Sequence, residues 1–171
     1  SLSGVSGAGR KTDVSLLYVE CNESLRPYGV PKHRHLSEIE QELSLANGSP
    51  VTIQFTPHLV PVNRGILTTL YLAPAPGQAA DFAQWTDAIA DCLAKRYADE
   101  PFVRLTGSGR LPDTKNVNGT NTIEIGWTAD PRTRRLRVFS AEDNLVKGAS
   151  GQAVQSFNIR FGFDETAGLP I

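Results

Sequence analysis

The sequence predicts an α+β fold in which a mixed, largely antiparallel sheet is covered on one face by helices. Short runs rich in β-branched and aromatic residues, bounded by Gly and Pro, indicate several strands. Two longer segments instead place apolar residues three and four apart, which indicates amphipathic helices. These elements follow one another as strand, helix, two strands, helix, strand, hairpin and final helix, an order typical of α+β proteins.

Length and charge place limits on domain number and on partners. A chain of 171 residues is long enough for a substantial core, and we expect residues 1–171 to form a single domain. Its 17 basic and 18 acidic residues leave a net charge of −1, which gives no electrostatic case for binding nucleic acid or a membrane. No signal peptide or bilayer-length apolar run is found, and two cysteines make no disulfide framework, so we expect a cytoplasmic protein.

The first helix has signals at both ends. Ser37 and Glu40 form the Ser-x-x-Glu pattern of a capping box, so the helix is predicted to begin after Ser37. Asn47 and Gly48 suit the left-handed conformation that ends a helix. The spacing i, i+3, i+7 and i+10 predicts one apolar stripe, which consists of Leu36, Ile39, Leu43 and Ala46.

The remaining elements follow from periodicity and from breaks in the chain. Strands are predicted at 14–20, 51–60, 66–72 and 102–105, an extended segment at 26–30, and a hairpin of strands at 122–128 and 134–140. Helices are predicted at 81–97 and from about 145 to 161, with a linker at 73–79 and a long loop at 107–122. Cys92 lies on the apolar stripe of the second helix, which predicts that its side chain packs in the core.

The glycine-rich segment 1–12 nearly spells a phosphate-binding loop. An extra Arg10 breaks the Gly-x4-Gly-Lys-Ser/Thr spacing, and no strand precedes the segment, so a nucleoside triphosphatase is rejected. The glycines still permit close approach of the backbone to an anion, and a flexible terminal loop is the alternative reading.

The strongest candidate site is the loop before the first helix. His33 and His35 lie one residue apart, with Tyr28 upstream, and a capped helix following them is expected to hold the loop in place. Such histidines serve as a general base or a substrate clamp, although a solvated pair on the surface has the same pattern. A metal site would need a third ligand, and neither His58 nor the cysteines have ligand spacing to the pair.

Two residues elsewhere are candidates for contacting a ligand. Arg64 lies in a Pro-Val-Asn-Arg-Gly turn, where it suits a substrate carboxylate or phosphate, or is simply a solvated surface arginine. Asn144 precedes the final helix, where it either reads another amide or caps the helix. Gly148 and Gly151 each cost that helix about 1 kcal/mol relative to alanine. Their presence therefore predicts that a ligand or a second backbone segment comes close to the helix there.

Several stretches of the sequence, taken together and in order, carry a resemblance to a known family. They are Ser3–Arg10, His33-Arg34-His35 with Glu38–Gln41, Phe55–Pro61, Arg64-Gly65, Pro112–Lys115 and Asp143–Gln155. These stretches resemble N-acetyl-gamma-glutamyl-phosphate reductase. The family reduces the acyl phosphate N-acetylglutamyl phosphate with NADPH to a semialdehyde in arginine biosynthesis. Its relatives are the aspartate-semialdehyde and glyceraldehyde-phosphate dehydrogenases, so the resemblance implies a glyceraldehyde-3-phosphate dehydrogenase-like C-terminal domain and a homo-oligomer, dimer or tetramer.

The resemblance also implies roles for the candidate residues. His33 and His35 would be catalytic, with His33 preferred as the base beside a cysteine thiolate, and Tyr28 and Arg64 would bind the substrate. Arg64 would bind the phosphate or carboxylate of the substrate. Contacts to NADP would come from Ser6, Gly7 and Asn144, and no metal is implied.

The sequence departs from the family in one decisive respect. The family's nucleophilic cysteine lies in a Gly-Cys-Tyr-Pro context, which neither Cys21 nor Cys92 matches, and no Gly-x-Gly-x-x-Gly dinucleotide fingerprint is found. With no methionine and a start at Ser1, the chain is expected to be the C-terminal catalytic and dimerisation portion, inactive alone. Helix 143–162 would then pack onto the missing NADP-binding domain. The alternatives are a non-enzymatic oligomerisation domain and a metal hydrolase using His33 and His35.

Overall fold

A computed structural model describes residues 1–10, 12–75, 77 and 81–171. Lys11 of the glycine-rich segment and three residues of the predicted linker 73–79 lie outside the described residues. The chain forms two compact units, Ser1–Asn63 and Arg64–Ile171, which are described in turn. The predicted α+β class with a mixed, largely antiparallel sheet is confirmed, while the prediction of a single domain stays a prediction.

In its described residues, 1–10 and 12–63, the first unit contains three short strands and two α-helices. Strand β1 pairs in parallel with β3, with Ser3 opposite Leu59, and β2 pairs antiparallel with β3. Turns of 3-10 helix lie at Val5–Ala8 and Val14–Leu16. The bounds are β1 Leu2–Gly4, α1 Tyr18–Cys21, β2 Arg26–Pro27, α2 Leu36–Asn47 and β3 His58–Val60.

The predicted strand at 14–20 is wrong, because the segment forms helical turns instead. One carboxylate oxygen of Asp13 accepts hydrogen bonds from the Ser15 backbone N–H at 3.0 Å and from the Ser15 hydroxyl at 2.7 Å. A side chain that binds the backbone two residues on starts a turn, and this local bond replaces the strand ladder. The apolar residues of the segment therefore face solvent, including Val14, Tyr18 and Val19.

Helix α2 is confirmed, but its predicted capping box is wrong. His35 occupies the N-cap, Ser37 lies inside the helix, and Gly48 ends the helix in the left-handed conformation at φ 71°. Glu40 and Ser44 bind a neighbouring segment instead, since they accept the backbone N–H groups of Ile53 at 3.1 Å and of Val51 at 2.9 Å. These bonds explain why the predicted strand 51–60 shortens to three residues, because helix side chains take the place of a ladder partner.

The described part of the second unit, residues 64–75, 77 and 81–171, contains a four-stranded sheet in the order β4-β7-β6-β5. Neighbours β4 and β7, and β7 and β6, are antiparallel, whereas β6 and β5 are parallel. The predicted strand at 66–72 and the predicted hairpin are confirmed. The bounds are β4 Ile66–Leu72, α3 Phe82–Arg96, β5 Val103–Ser108, α4 Thr114–Val117, β6 Ile123–Asp130 and β7 Arg135–Glu142.

Helix α3 covers one face of this sheet and is capped by Asp81, whose carboxylate accepts from the N–H groups of Ala83 and Gln84. Its residues Trp85, Ile89 and Leu93 pack against the buried cluster of Trp127, Leu136 and Val138. The prediction that Cys92 packs in the core is wrong, since its side chain is exposed. Leu93, next in sequence, continues the four-residue spacing of the packed side chains and takes the core position.

The final helix is irregular at its start. A π-helical turn, Val146–Ser150, leads into α5, Gly151–Phe161, which ends at Gly162 with φ 73°. Its buried residues are Gly151, Gln155 and Asn158, whereas its apolar residues Val154, Phe157, Ile159 and Phe161 are exposed. The polar side of α5 therefore faces the unit, and its apolar side faces solvent.

The two glycines of this helix are expected to respond oppositely to alanine. A Cβ on Gly151 would clash with Asn121 Oδ1 and lie 2.8 Å from Val146 Cγ1, whereas one on Gly148 meets Asp143 O at an ordinary 3.4 Å. We therefore expect Gly151→Ala to lower the free energy of unfolding by about 1–3 kcal/mol through overpacking. Gly148→Ala should be neutral or stabilise by up to about 1 kcal/mol. Urea unfolding of both variants checks this, and an equal response at the two positions would contradict it.

Candidate functional site

His33 lies at the centre of a cluster of rings in the first unit. Its ring centroid is 5.3 Å from that of Tyr28, 4.9 Å from His35 and 5.7 Å from Phe55, and all three pairs are edge-to-face. Gly29, at φ 63°, makes room for the ring, because a Cβ there would lie 2.6 Å from His33 Cδ2. The loop thus holds the imidazole in one orientation by packing against rings on three sides.

A hydrogen bond within the loop selects the tautomer of the neutral His33 ring. The backbone N–H of His35 donates to His33 Nδ1 at 3.2 Å, so this nitrogen carries no proton and the neutral ring carries its proton on Nε2. Burial lowers the pKa of His33, and the charges of His35 and Arg34 lower it further. The ring is therefore neutral at physiological pH and presents an Nε2–H donor.

His35 and Tyr28 are the more open members of this cluster. The His35 side chain is exposed at the N-cap of α2, and Tyr28 is 36% exposed. The backbone N–H of Tyr28 donates to Pro57 O at 3.1 Å, which ties the start of the loop to the chain entering β3. The structure brings Tyr28, His33 and His35 together, as their closeness in sequence suggests, and adds Phe55, which sequence reasoning missed.

Ser6 and Gly7 lie in the 3-10 turn that follows β1 in the same unit. The N–H groups of Val5 and Ser6 donate to Val62 O at 2.9 Å and Asn63 O at 3.1 Å, which fixes the turn. Gly7 is exposed and has no side chain, so its backbone is open to close approach by a ligand.

Arg64 begins the second unit and is paired with a buried carboxylate. Its Nη1 lies 3.0 Å from Asp143 Oδ2, with the arginine side chain 40% exposed and the aspartate fully buried. Asp143 was not predicted as a site residue. Its other oxygen, Oδ1, accepts hydrogen bonds from the N–H groups of Leu145 and Val146. The signal available in the sequence is therefore an aspartate just before the predicted helix, a position typical of a capping residue.

Asn144 lies beside this pair and is 5% exposed. Its side-chain oxygen accepts the backbone N–H of Gly65 at 2.9 Å. Gly65, at φ 108°, has no room for a side chain, because a Cβ would lie 2.9 Å from Thr114 Cβ. Of the two readings left open for Asn144, capping of the helix falls to Asp143, and Asn144 binds an amide of its own chain.

Two absences concern the residues that the structure describes. Within residues 1–10, 12–75, 77 and 81–171, no three His, Cys, Asp or Glu side chains are grouped so that they would hold a metal ion. In the same ranges, no helix has both the length and the apolar character needed to cross a bilayer.

Comparison with known proteins identifies the family of this chain. Residues 1–144 match the family model described as "Semialdehyde dehydrogenase, dimerisation domain". The chain belongs to this family. This membership confirms the resemblance found in the sequence. The description of the family refers to dimerisation.

Curated relatives extend the match to the end of the chain. The chain is 59% identical to an N-acetyl-gamma-glutamyl-phosphate reductase from Akkermansia muciniphila over 167 residues, and 54% identical to the protein of that name from Geobacter metallireducens over 174 residues. These matches cover 98% and 99% of this chain but only 46% and 47% of the relatives. This semialdehyde dehydrogenase dimerisation domain therefore spans about half the length of the curated relatives it matches.

Solved structures with the same fold are more distant in sequence. A probable aspartate-semialdehyde dehydrogenase from Pseudomonas aeruginosa superposes with a TM-score of 0.64 at 18% identity, over 95% of this chain and 55% of that one. Aspartate semialdehyde dehydrogenase II from Vibrio cholerae, complexed with ASA, gives 0.62 at 16% identity, over 95% and 54%. At this identity the likeness concerns the fold alone, and it agrees with the predicted fold class.

Proposed function

We propose that this chain is the C-terminal catalytic and dimerisation part of a cytoplasmic, NADPH-dependent N-acetyl-gamma-glutamyl-phosphate reductase of arginine biosynthesis. The reaction converts N-acetylglutamyl phosphate, NADPH and a proton into N-acetylglutamate semialdehyde, phosphate and NADP⁺. The observation that carries the proposal is 59% identity to a reductase of that name along 98% of the chain. Homo-oligomers, dimers or tetramers, are part of the proposal, since the family is described by dimerisation.

The proposed nucleophile, a cysteine that forms a thioester with the acyl group, lies outside this chain. Cys21 is buried and its thiol donates to Ser15 O at 3.3 Å, whereas Cys92 is exposed on α3. Neither thiol belongs to the ring cluster around His33. We therefore assign the nucleophile to the part of the polypeptide that the reductase relatives have and this chain does not.

His33 and His35 take different roles in the proposed mechanism. Because His33 Nδ1 accepts a backbone hydrogen bond, proton uptake by this ring would sacrifice that bond. A neutral imidazole donating from Nε2 suits an oxygen on which negative charge develops when a carbonyl is attacked. We assign this donation to His33, together with orientation of the thiol, and we assign proton exchange with solvent to the exposed His35 beside it. Tyr28, at the open edge of the cluster, contacts the substrate.

Arg64 is the proposed cation for the substrate's anionic group. Only one of its terminal nitrogens is bound to Asp143, and the side chain is part-exposed. A guanidinium offers five N–H donors in a planar fork that matches the oxygens of a phosphate or a carboxylate. Arg64 therefore has donors left to bind such a group while its position is fixed from behind.

The residues proposed to contact NADP fit unequally. NADPH supplies the hydride that reduces the acyl group. The turn of Ser6 and Gly7 fits well, because it is fixed by two backbone hydrogen bonds and exposes a glycine. Asn144 fits less well, because its oxygen already accepts from Gly65 and the residue is buried. A contact from Asn144 to the nicotinamide carboxamide would have to be made in addition to this bond.

Helix α5 supports the proposal that residues 143–162 pack against the missing NADP-binding domain. Phe157 contacts Phe161 and Phe163, with ring centroids 4.6 Å and 5.8 Å apart, and the three rings are 51–64% exposed. Because a helix in a monomer normally turns such residues inward, an outward aromatic cluster indicates a protein surface that covers it.

Activity of this chain with and without the rest of a reductase tests the proposal. We define the hybrid reductase as the Akkermansia muciniphila relative in which the matched region is replaced by this chain. The chain alone is expected to show no NADPH oxidation with N-acetylglutamyl phosphate, because it lacks the nucleophile. The hybrid reductase is expected to turn over within about tenfold of the unmodified relative, a difference of about 1.4 kcal/mol in barrier.

Two outcomes would contradict the proposal. Activity of the chain alone would mean that the nucleophile is present within it. A hybrid reductase that is folded and oligomeric by size-exclusion chromatography, yet inactive, would favour the non-enzymatic oligomerisation domain. The unmodified relative, assayed in parallel, controls for substrate quality.

A further inference from the structure

The buried carboxylate of Asp143 joins three segments of the second unit. Oδ2 accepts from Arg64 Nη1 at 3.0 Å and from the Gly119 N–H at 2.7 Å. Oδ1 accepts from the N–H groups of Leu145 at 2.7 Å and Val146 at 3.0 Å, where the final helix starts. Both oxygens are therefore fully used, and the position of the carboxylate is set by backbone rather than by flexible side chains.

These bonds keep Asp143 ionised. Burial alone raises the pKa of the carboxyl, but the hydrogen bonds from Gly119, Leu145, Val146 and Arg64 outweigh burial, so the pKa lies below the ordinary value for aspartate. A negative charge with a fixed position consequently lies behind the guanidinium of Arg64.

A second bond runs parallel to the Arg64–Asp143 pair. Gly65, next to Arg64, donates its N–H to Asn144, next to Asp143. Two consecutive residues just before β4 are thus held by two consecutive residues just after β7. The backbone and the tip of Arg64 are both fixed, and the remaining donors of a part-exposed guanidinium keep a constant direction.

We propose that Asp143 is a positioning residue, which holds Arg64 so that its remaining N–H donors meet the anionic oxygens of the substrate. The inference rests on the proposed function and deepens it. The oxygens belong either to the phosphate group or to the carboxylate of the acetylglutamyl part. Arg64 touches the substrate, and Asp143 acts only through Arg64.

The test is a double-mutant cycle in the hybrid reductase, run in the direction that consumes semialdehyde, inorganic phosphate and NADP⁺. Asp143→Asn and Arg64→Ala are each expected to raise the KM of the same anionic substrate about tenfold or more, as expected for a charged hydrogen bond. The double variant should be no worse than Arg64→Ala alone, since Asp143 has no route to the substrate without Arg64. A raised KM for phosphate identifies the phosphate group, and a raised KM for semialdehyde identifies the carboxylate.

Glu124 provides a matched control for a merely structural role. Its carboxylate is 2% exposed, lies 3.2 Å from Arg104 Nη1 and accepts the Asp113 N–H at 3.3 Å. Glu124→Gln should lower the melting temperature without raising either KM. If Asp143→Asn fails to fold, Asp143→Ser keeps an acceptor for the helix N–H groups and replaces it in the cycle.

Additive effects in the cycle, or an equal rise in KM in Glu124→Gln, would overturn the positioning role. Failure of the proposed function is distinguishable, because the unmodified hybrid reductase would then be inactive. In that case inorganic phosphate, or N-acetylglutamate if Arg64 binds the carboxylate, should still raise the melting temperature of the hybrid and not of Arg64→Ala or Asp143→Asn. The absence of a shift with either anion in an inactive hybrid would overturn the inference as well.

Discussion

Replacing His33 by asparagine is expected to lower kcat of the hybrid reductase by about 10²–10⁴-fold, the range measured for a positioned proton donor or acceptor. Asparagine keeps an acceptor for the backbone N–H of His35, the bond that now ends on His33 Nδ1, and loses the atom that stands at Nε2. Glutamine places its amide near the position of Nε2 and loses the acceptor at the position of Nδ1. If Nε2 is the reacting atom, His33→Gln should retain more activity than His33→Asn, although it loosens the loop.

Steady-state kinetics of three histidine variants separate the roles. His35→Asn should also lose activity, because His35 is assigned proton exchange, but external imidazole is expected to restore part of it at so exposed a position. His58, half-buried on β3, is the control, and His58→Asn should change kcat less than twofold. Equal loss in all three variants would mean that the substitutions damage folding rather than chemistry.

The pH dependence of His33 follows from its lowered pKa. Since burial favours the neutral ring in the folded protein, the unfolded chain binds a proton more readily. Stability contributed by the ring cluster is therefore present above the ordinary histidine pKa of about 6.5 and is lost as the pH falls below it. In the hybrid reductase His33 should likewise contribute an acid limb of kcat below about 6.5, and His33→Asn should remove that contribution.

Sequence reasoning succeeded where the signal is local. Strand β4, the β6–β7 hairpin and helix α3 have strong periodicity, and the end of α2 at Gly48 depends only on neighbouring residues. It failed where a side chain competes with the ladder for the backbone. Asp13 turns the segment 14–20 into helical turns, and Glu40 with Ser44 binds the N–H groups that a strand at 51–55 would use.

The candidate site divides in the same way. Tyr28, His33 and His35 are close in sequence, so their proximity was predictable, whereas Phe55 reaches the cluster only through the fold. The pairing of Arg64 with Asp143 spans 79 residues, and no local pattern in the sequence indicates it. Burial of polar Gln155 and Asn158 in place of the apolar side of α5 was equally hidden, because periodicity gives a stripe but not the side that is covered.

Replacing Phe157 by aspartate is expected to have little effect on the stability of the isolated chain and a large effect on the hybrid reductase. In the isolated chain the Phe157 side chain is half exposed and its ring contacts the exposed rings of Phe161 and Phe163, so the substitution should leave unfolding nearly unchanged and reduce aggregation. In the hybrid reductase a covered Phe157 would be lost and an unpaired charge buried. The expected cost is about 3–5 kcal/mol in the docking of the two portions, with activity lost accordingly.

Unfolding curves and kcat of both proteins measure this difference. Ser156→Asp adds the same charge to the exposed side of the same helix and should leave the hybrid reductase active. A Phe157→Asp hybrid with unchanged activity and melting temperature would show that the NADP-binding portion does not cover α5. The comparison depends on context rather than on the residue alone. Since the chain itself hardly needs Phe157, a large effect in the hybrid can arise only from a surface that the isolated chain lacks.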